Sequence, residues 1–202
     1  MIGLRERKKQ QTRQQIFEAS QRLFARRGFG EVKVAEVAEA ANVSEMTVYN
    51  YFPTKEDLFY AGMQFFEEQL IEAVRSRPRG ESALKAFRRR VLEGAAYLGA
   101  KERTEGIARA GRAIAASPSL RAREREIVEE YTLRLARVLG DGVEAMVVAA
   151  AMMAAHRGLV AHTREQVAAG RRGAQLVEDF RTQARRAFAR LEKGLGDYAV
   201  RA

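Results

Sequence analysis

Cysteine and tryptophan are absent from the 202 residues, histidine occurs twice and proline three times. Without cysteine there can be no disulfide, thiolate zinc site, iron–sulfur cluster or cysteine nucleophile. Two histidines leave little for an imidazole metal site, and nothing in the chain calls for a cofactor. No stretch alternates β-branched with polar residues, so no strand is expected. The longest apolar run, residues 145–155, falls well short of the ~20 residues that span a bilayer. The charged N-terminus lacks the apolar stretch of roughly 7–15 residues that a secretory signal needs. The expected location is therefore the cytoplasm, with no membrane partner. What is abundant is Ala, Arg, Leu and Glu, in a chain 47% hydrophobic and 31% charged. This is the composition of an all-α protein with a packed core.

The formal net charge is +10, which suits an acidic partner such as nucleic acid, a membrane surface or an anionic ligand. The excess is spread along the chain. Residues 1–60 carry 10 Lys/Arg against 8 Asp/Glu, leaving most of the surplus to the remainder. Locally, Arg5, Arg7, Lys8, Lys9 and Arg13 against the single Glu6 make a compact basic arm over residues 1–11 and just beyond.

Helical periodicity begins with Ile16, Ala19, Leu23 and Phe24, one face of a helix over 12–27 that closes on Arg26, Arg27 and Gly28. Val34, Val37, Ala38 and Ala41 mark a second helix, after which Asn42 tolerates a left-handed turn. Ser44 caps a short third helix through about Asn50. Thr54 and Asp57, just past Pro53, have the spacing of a capping box opening a fourth helix to about Val74. Beyond the break Pro78-Arg79-Gly80 the helices lengthen, and are expected near 81–99, 103–116, 119–138, 142–169 and 171–194. The division drawn is residues 1–55 as one domain and 56–202 as a larger helical one.

A second and third helix joined by Asn42-Val43-Ser44, with Val43 as the buried turn residue, describe a helix-turn-helix. The third helix suits a major groove. Ser44 and the free N–H groups beside it can bind phosphate. Met46 and the Thr47 methyl can meet thymine methyls, Asn50 can pair with adenine, and Glu45 can accept from cytosine. Tyr49, Tyr51 and Lys55 are placed to hold the backbone. Many all-α proteins contain such a helix pair by chance, so geometry alone leaves the assignment open.

The wider pattern narrows it. Ile16, Ala19, Leu23, Phe24, Gly28, Phe29, Val34, Val37, Ala38, Ala41, Val43, Ser44, Thr47, Tyr49, Phe52, Lys55, Glu56 and Leu58 stand at spacings that resemble the TetR family of bacterial transcription regulators. The resemblance implies a three-helix DNA-binding domain joined through a long fourth helix to a ligand-binding and dimerisation domain. It also implies a homodimer on a palindromic double-stranded operator and a small-molecule effector that relieves DNA binding. By position, Ser44, Thr47, Tyr49, Tyr51 and Lys55 would contact DNA, and Met46 and Asn50 would be the variable readers. Two positions depart from the family pattern. Lys33 replaces the usual Thr, exchanging a hydroxyl for a cation that can reach phosphate, and Asn42 replaces the usual turn Gly.

In the C-terminal part, Val143, Met146, Val147, Ala150, Met153, Ala154, Leu159 and Val160, then Leu176, Phe180, Ala184, Ala187, Phe188 and Leu191, make the last two long helices apolar on more than one face. Such helices are buried on several sides, here on their own core and on a twin, as the family resemblance also implies. Phe65, Phe66, Phe87, Tyr97, Ile107, Ile114, Tyr131, Met152 and Met153 are candidate effector-lining residues, although stripes of this kind are more often plain core. Arg109 and Arg112 can face an anionic ligand such as an acyl-CoA, against a stronger reading as solvated surface. His156 and His162 are six apart and point to different sides of a helix, so they do not form a joint metal site. No nucleophile–base–acid set and no phosphate loop is visible, so no enzyme is expected. Two rivals remain: a helical lipid- or acyl-ligand-binding protein whose N-terminal helices mimic the motif, and a DNA binder without effector.

Overall fold

The computed structural model describes residues 3–195. Among them are nine α-helices, one short 3-10 helix and no strand, as expected of an all-α chain. The helices are α1 (Leu4–Arg27), α2 (Val34–Ala40), α3 (Glu45–Tyr51), α4 (Lys55–Arg75), α5 (Ala83–Gly94), α6 (Lys101–Ala116), α7 (Pro118–Leu139), α8 (Gly142–Ala168) and α9 (Gly173–Leu195). The chain forms two compact units. The first comprises the residues up to Gln64 together with Arg112–Glu124, and the second Phe65–Gly111 with the residues from Arg125 onward.

In the first unit Ile16, Ala19, Phe24, Val37, Ala38, Val48, Phe52 and Leu58 are buried together. Phe24, Phe29 and Phe59 meet at ring separations of 5.4–6.2 Å in tilted and edge-on pairs, the arrangement that aromatic quadrupoles favour. The helix over 12–27 starts earlier than its apolar period, at Leu4. Residues 4–11 are Arg, Lys, Gln, Glu and Leu, good helix formers that need no buried face to continue a helix already nucleated. At its other end Gly28 takes φ 86° and ψ 158°, a region essentially reserved to glycine. Its N–H still bonds to the Phe24 carbonyl at 2.9 Å.

The second unit buries Leu70, Ile71, Leu84, Phe87, Val91, Ile127, Leu135, Val148, Met152, Leu159, Leu176 and Phe188, with α8 packed on α9 and α5 on α9. The helix expected over 81–99 ends as α-helix at Gly94 and tightens into a 3-10 segment, Ala95–Gly99. Of the last two helices, expected to be apolar on more than one face, α8 is so and α9 is not. α8 buries one side and leaves Val143, Met146, Val147, Ala150, Ala154, Gly158 and Ala161 exposed, so it is apolar on two sides. α9 is amphipathic: Leu176, Phe180, Ala184 and Phe188 are buried, while Glu178, Arg185, Arg186 and Arg190 face solvent. Charge at every outward turn overrides the Ala content of that helix. By length and composition α8 could cross a membrane. Its buried side also makes it a core helix.

Candidate nucleic-acid interface

The turn between α2 and α3 is a helix C-cap. Ala41 ends α2, Asn42 follows with φ 52°, and the Val43 N–H bonds to the Ala38 carbonyl at 3.0 Å while the Asn42 N–H bonds to Glu39 at 3.0 Å. These are the two bonds of a Schellman motif, which places one left-handed residue just past the cap. Asparagine is the residue after glycine that enters this region most readily. Val43 is half-buried and packs on the first unit's core rather than being fully enclosed.

Ser44 is the N-cap of α3. Its Oγ accepts from the Thr47 N–H at 3.1 Å and lies 2.8 Å from the Thr47 hydroxyl. The cap satisfies one of the orphan N–H groups at the helix start. Val48 is fully buried and pins the helix by its inner side. On the other side Glu45, Met46, Tyr49 and Asn50 are exposed, Met46 at 70%. These four side chains form the outer face of the short helix.

Lys55 and Tyr51 do not share that openness. Tyr51 is half-buried against the core. Lys55 Nζ lies 4.4 Å from the Phe29 ring centroid and donates to the Gly30 carbonyl at 3.4 Å. Partial desolvation depresses its pKa, against the opposing pull of Glu56, Glu31 and Glu36. Lys33 opens α2 with an exposed side chain, and its N–H is capped by Glu36 Oε2 at 2.8 Å. Thus the hydroxyl cap that a threonine would bring is replaced by the half of the box that Glu36 supplies. The Lys33 bond and Arg27 hold the Glu36 carboxyl below its usual range.

The entry to α4 is fixed by the reciprocal cap expected there. Thr54 N–H and hydroxyl both donate to Asp57 Oδ2, at 3.0 and 2.7 Å, and the Asp57 N–H returns to Thr54 Oγ1 at 3.1 Å. Three links escaped sequence reading. Arg123 Nε donates to Asp57 Oδ1 at 2.8 Å, the Tyr60 hydroxyl donates to the Leu120 carbonyl at 3.0 Å, and the Arg13 guanidinium lies 5.0 Å over Phe52. No local signal could have announced them, since the first two join residues 60 or more apart.

The expected effector-lining residues differ in exposure. Phe65 and Tyr97 are 64% and 72% exposed, whereas Phe87, Met152 and Met153 are buried. Phe66 is half-buried. The Tyr131 hydroxyl donates to Glu68 Oε1 at 3.2 Å, and Arg134 grips the same carboxylate with both Nη atoms. Burial pushes the Tyr131 phenol above its ordinary pKa, while the Arg134 bonds hold Glu68 below its own. Arg109 is exposed and lies 3.9 Å from Glu105, and Arg112 is exposed; both stand as surface arginines. Ile107 is half-buried and Ile114 buried. His162 bonds Asp179 at 2.7 Å. Among the described residues no group of acidic or imidazole side chains could hold a metal ion.

Residues 16–61 match the family model for bacterial regulatory proteins, tetR family. A curated relative, the HTH-type transcriptional regulator TcmR of Streptomyces glaucescens, is 30% identical over 148 residues, which is 70% of this chain and 66% of that protein. Two solved structures share the fold. NalD, the secondary repressor of the MexAB-OprM multidrug efflux pump in Pseudomonas aeruginosa, is 18% identical with a TM-score of 0.52, covering 93% of this chain and 97% of that one. A transcriptional regulator from Rhodococcus sp. Rha1 is 24% identical with a TM-score of 0.50, covering 90% and 96%. At these identities the likeness speaks for the fold alone.

Proposed function

Since the chain belongs to the TetR family of bacterial regulatory proteins, which are regulators rather than enzymes, we propose that it is a sequence-specific DNA-binding repressor of the cytoplasm. It acts as a homodimer on a palindromic operator and is released by a small-molecule effector. Residues 1–55 form the DNA-binding domain and 56–202 the ligand-binding and dimerisation domain. The observation that carries this reading is α3, capped by Ser44 and pinned by Val48, with Met46, Tyr49 and Asn50 turned outward.

In this reading Met46 and Asn50 read base edges and Glu45 selects for a cytosine amine. Ser44, Thr47, Tyr49, Tyr51, Lys33 and Lys55 hold the backbone. Lys55 leaves Phe29 and Gly30 to do so, giving up a cation–π contact worth about 0.5–2 kcal/mol. The reading requires a second copy, because two recognition helices must meet half-sites about 34–36 Å apart. The exposed apolar side of α8 is the surface that such a copy would cover, with the polar outer side of α9 at its rim.

The test is selection from a randomised duplex library at two salt concentrations. One recovered palindrome, with affinity falling steeply as salt rises, supports the proposal. Binding that is salt-dependent but indifferent to sequence would favour a non-specific DNA binder. No DNA binding would leave a helical ligand-binding protein as the better reading.

A further inference from the structure

His156, in the middle of α8, is the one imidazole inside the second unit's core, and its Nδ1 is buried without a hydrogen-bond partner. An unmade hydrogen bond at a buried polar atom costs about 1–3 kcal/mol, so its persistence asks for a reason. The ring sits in a column running inward from the surface. The Arg90 guanidinium lies 4.8 Å over the Phe66 ring. Phe66 lies 5.6 Å from His156 in a tilted pair. His156 is 6.3 Å from Phe87, which is 6.1 Å from Phe188, both edge-on. Arg90 is steadied from the side by Gln69.

Phe66 is the outer ring of the column. It is half-buried and is pressed against Gly94, where an added Cβ would stand only 3.0 Å from its ring edge. The glycine makes room for a ring at that level of the column. If Phe66 swings outward, it leaves a slot between a guanidinium and an imidazole, the first attracting the face of any aromatic ring and the second offering an unspent ring nitrogen. Burial depresses His156 to a pKa of about 4, so the imidazole is neutral at physiological pH and gives no preference to an anion.

We propose that this column binds a planar aromatic molecule bearing a hydroxyl group, a phenol in chemical class, whose ring replaces Phe66 beneath Arg90 and whose hydroxyl bonds His156 Nδ1. A hydroxyl fits either tautomer of the ring, since it can donate or accept. In naming the chemistry of the effector, the proposal rests on the reading of the protein as an effector-responsive regulator.

The probes are 2-naphthol and naphthalene, titrated into the full-length protein and followed by calorimetry. The expected result is that wild type binds 2-naphthol about tenfold more tightly than naphthalene, the equivalent of one neutral hydrogen bond. His156→Phe should reduce that ratio to about one, and Phe66→Ala, which has no ring to displace, should bind 2-naphthol more tightly than wild type. Equal affinity for the two probes in wild type, or a ratio that survives His156→Phe, overturns the proposal. Should His156→Phe not fold, the 15N resonance of His156 Nδ1 in wild type decides. It moves on adding 2-naphthol and not naphthalene if the bond forms, and stays fixed if it does not. DNA affinity measured in parallel separates the two readings. Absence of DNA binding by the ligand-free protein strikes the regulator, whereas DNA binding with no hydroxyl preference among the probes strikes only the site.

Discussion

Arg123 Nε donates to Asp57 Oδ1 at 2.8 Å while the other oxygen of the same carboxylate closes the cap on Thr54. Asp57 is thus shared between a local task, starting α4, and a long-range one, holding the N-terminal turns of α7 within the first unit. Its carboxylate is almost wholly enclosed, and both its oxygens are engaged.

Asp57→Ala therefore removes a cap and the ion pair to Arg123 together. The expected loss is about 2–4 kcal/mol of stability, read from the midpoint of urea unfolding. Thr54→Ala should cost only about 1 kcal/mol, since Arg123 keeps its partner. Equal losses for the two variants would mean that the ion pair adds nothing.

Asn42 holds its left-handed turn at φ 52° without glycine. Asn42→Gly should change stability by less than about 0.5 kcal/mol, because both residues enter this region readily. Asn42→Val should cost about 1–2 kcal/mol, since a β-branched side chain meets the carbonyl that follows it. Thermal unfolding of the two variants side by side measures the difference.

His156 makes stability depend on acid. Its folded pKa is depressed to about 4 by burial, while the unfolded chain protonates near the ordinary value of ~6.5. Above that pH both states are neutral and the full stability is present. As pH falls below it, the unfolded state alone gains a proton, and stability drains away until the folded ring titrates as well. The expected total is about 3 kcal/mol. Urea unfolding at pH 7.5 and 4.5 should show the loss in wild type and a smaller one in His156→Phe.

The proposed reading and docking surfaces can be tested separately. Lys55→Gln should weaken binding to every sequence and lower the salt slope by about one. Met46→Ala and Asn50→Ala should each relax preference at particular base pairs. Val147→Arg, on the exposed side of α8 where Val147 is 56% accessible, should convert a dimer to a monomer in sedimentation experiments. A dimer that persists would place the interface elsewhere.

What could be read in advance was what is written within a turn or two of helix. Ser44, Asn42 and the pair Thr54–Asp57 act on neighbours three or four residues away, so their identity announces their role. Arg123 could not be matched with Asp57, nor Tyr60 with Leu120, because nothing in a side chain's type says which distant backbone it will meet. The polar outer face of α9 was legible in principle, since Arg185, Arg186 and Arg190 recur at helical spacing, but Ala184, Ala187 and Ala189 beside them give the segment an apolar composition. The environment of His156 was not, since it is assembled from α4, α5, α8 and α9.

The early start of α1 changes what the basic arm is. Arg5, Arg7, Lys8 and Lys9 stand on a helix that continues unbroken from Leu4 to Arg27, so their charges are fixed in angle, about 100° and 1.5 Å apart per residue. A loose tail would have to surrender roughly 1–2 kcal/mol of backbone freedom for each residue it ordered on a polyanion. Here that freedom is already gone before any encounter. The arm can therefore engage quickly and weakly at several points, but it cannot wrap into a narrow groove without first melting its own opening turns.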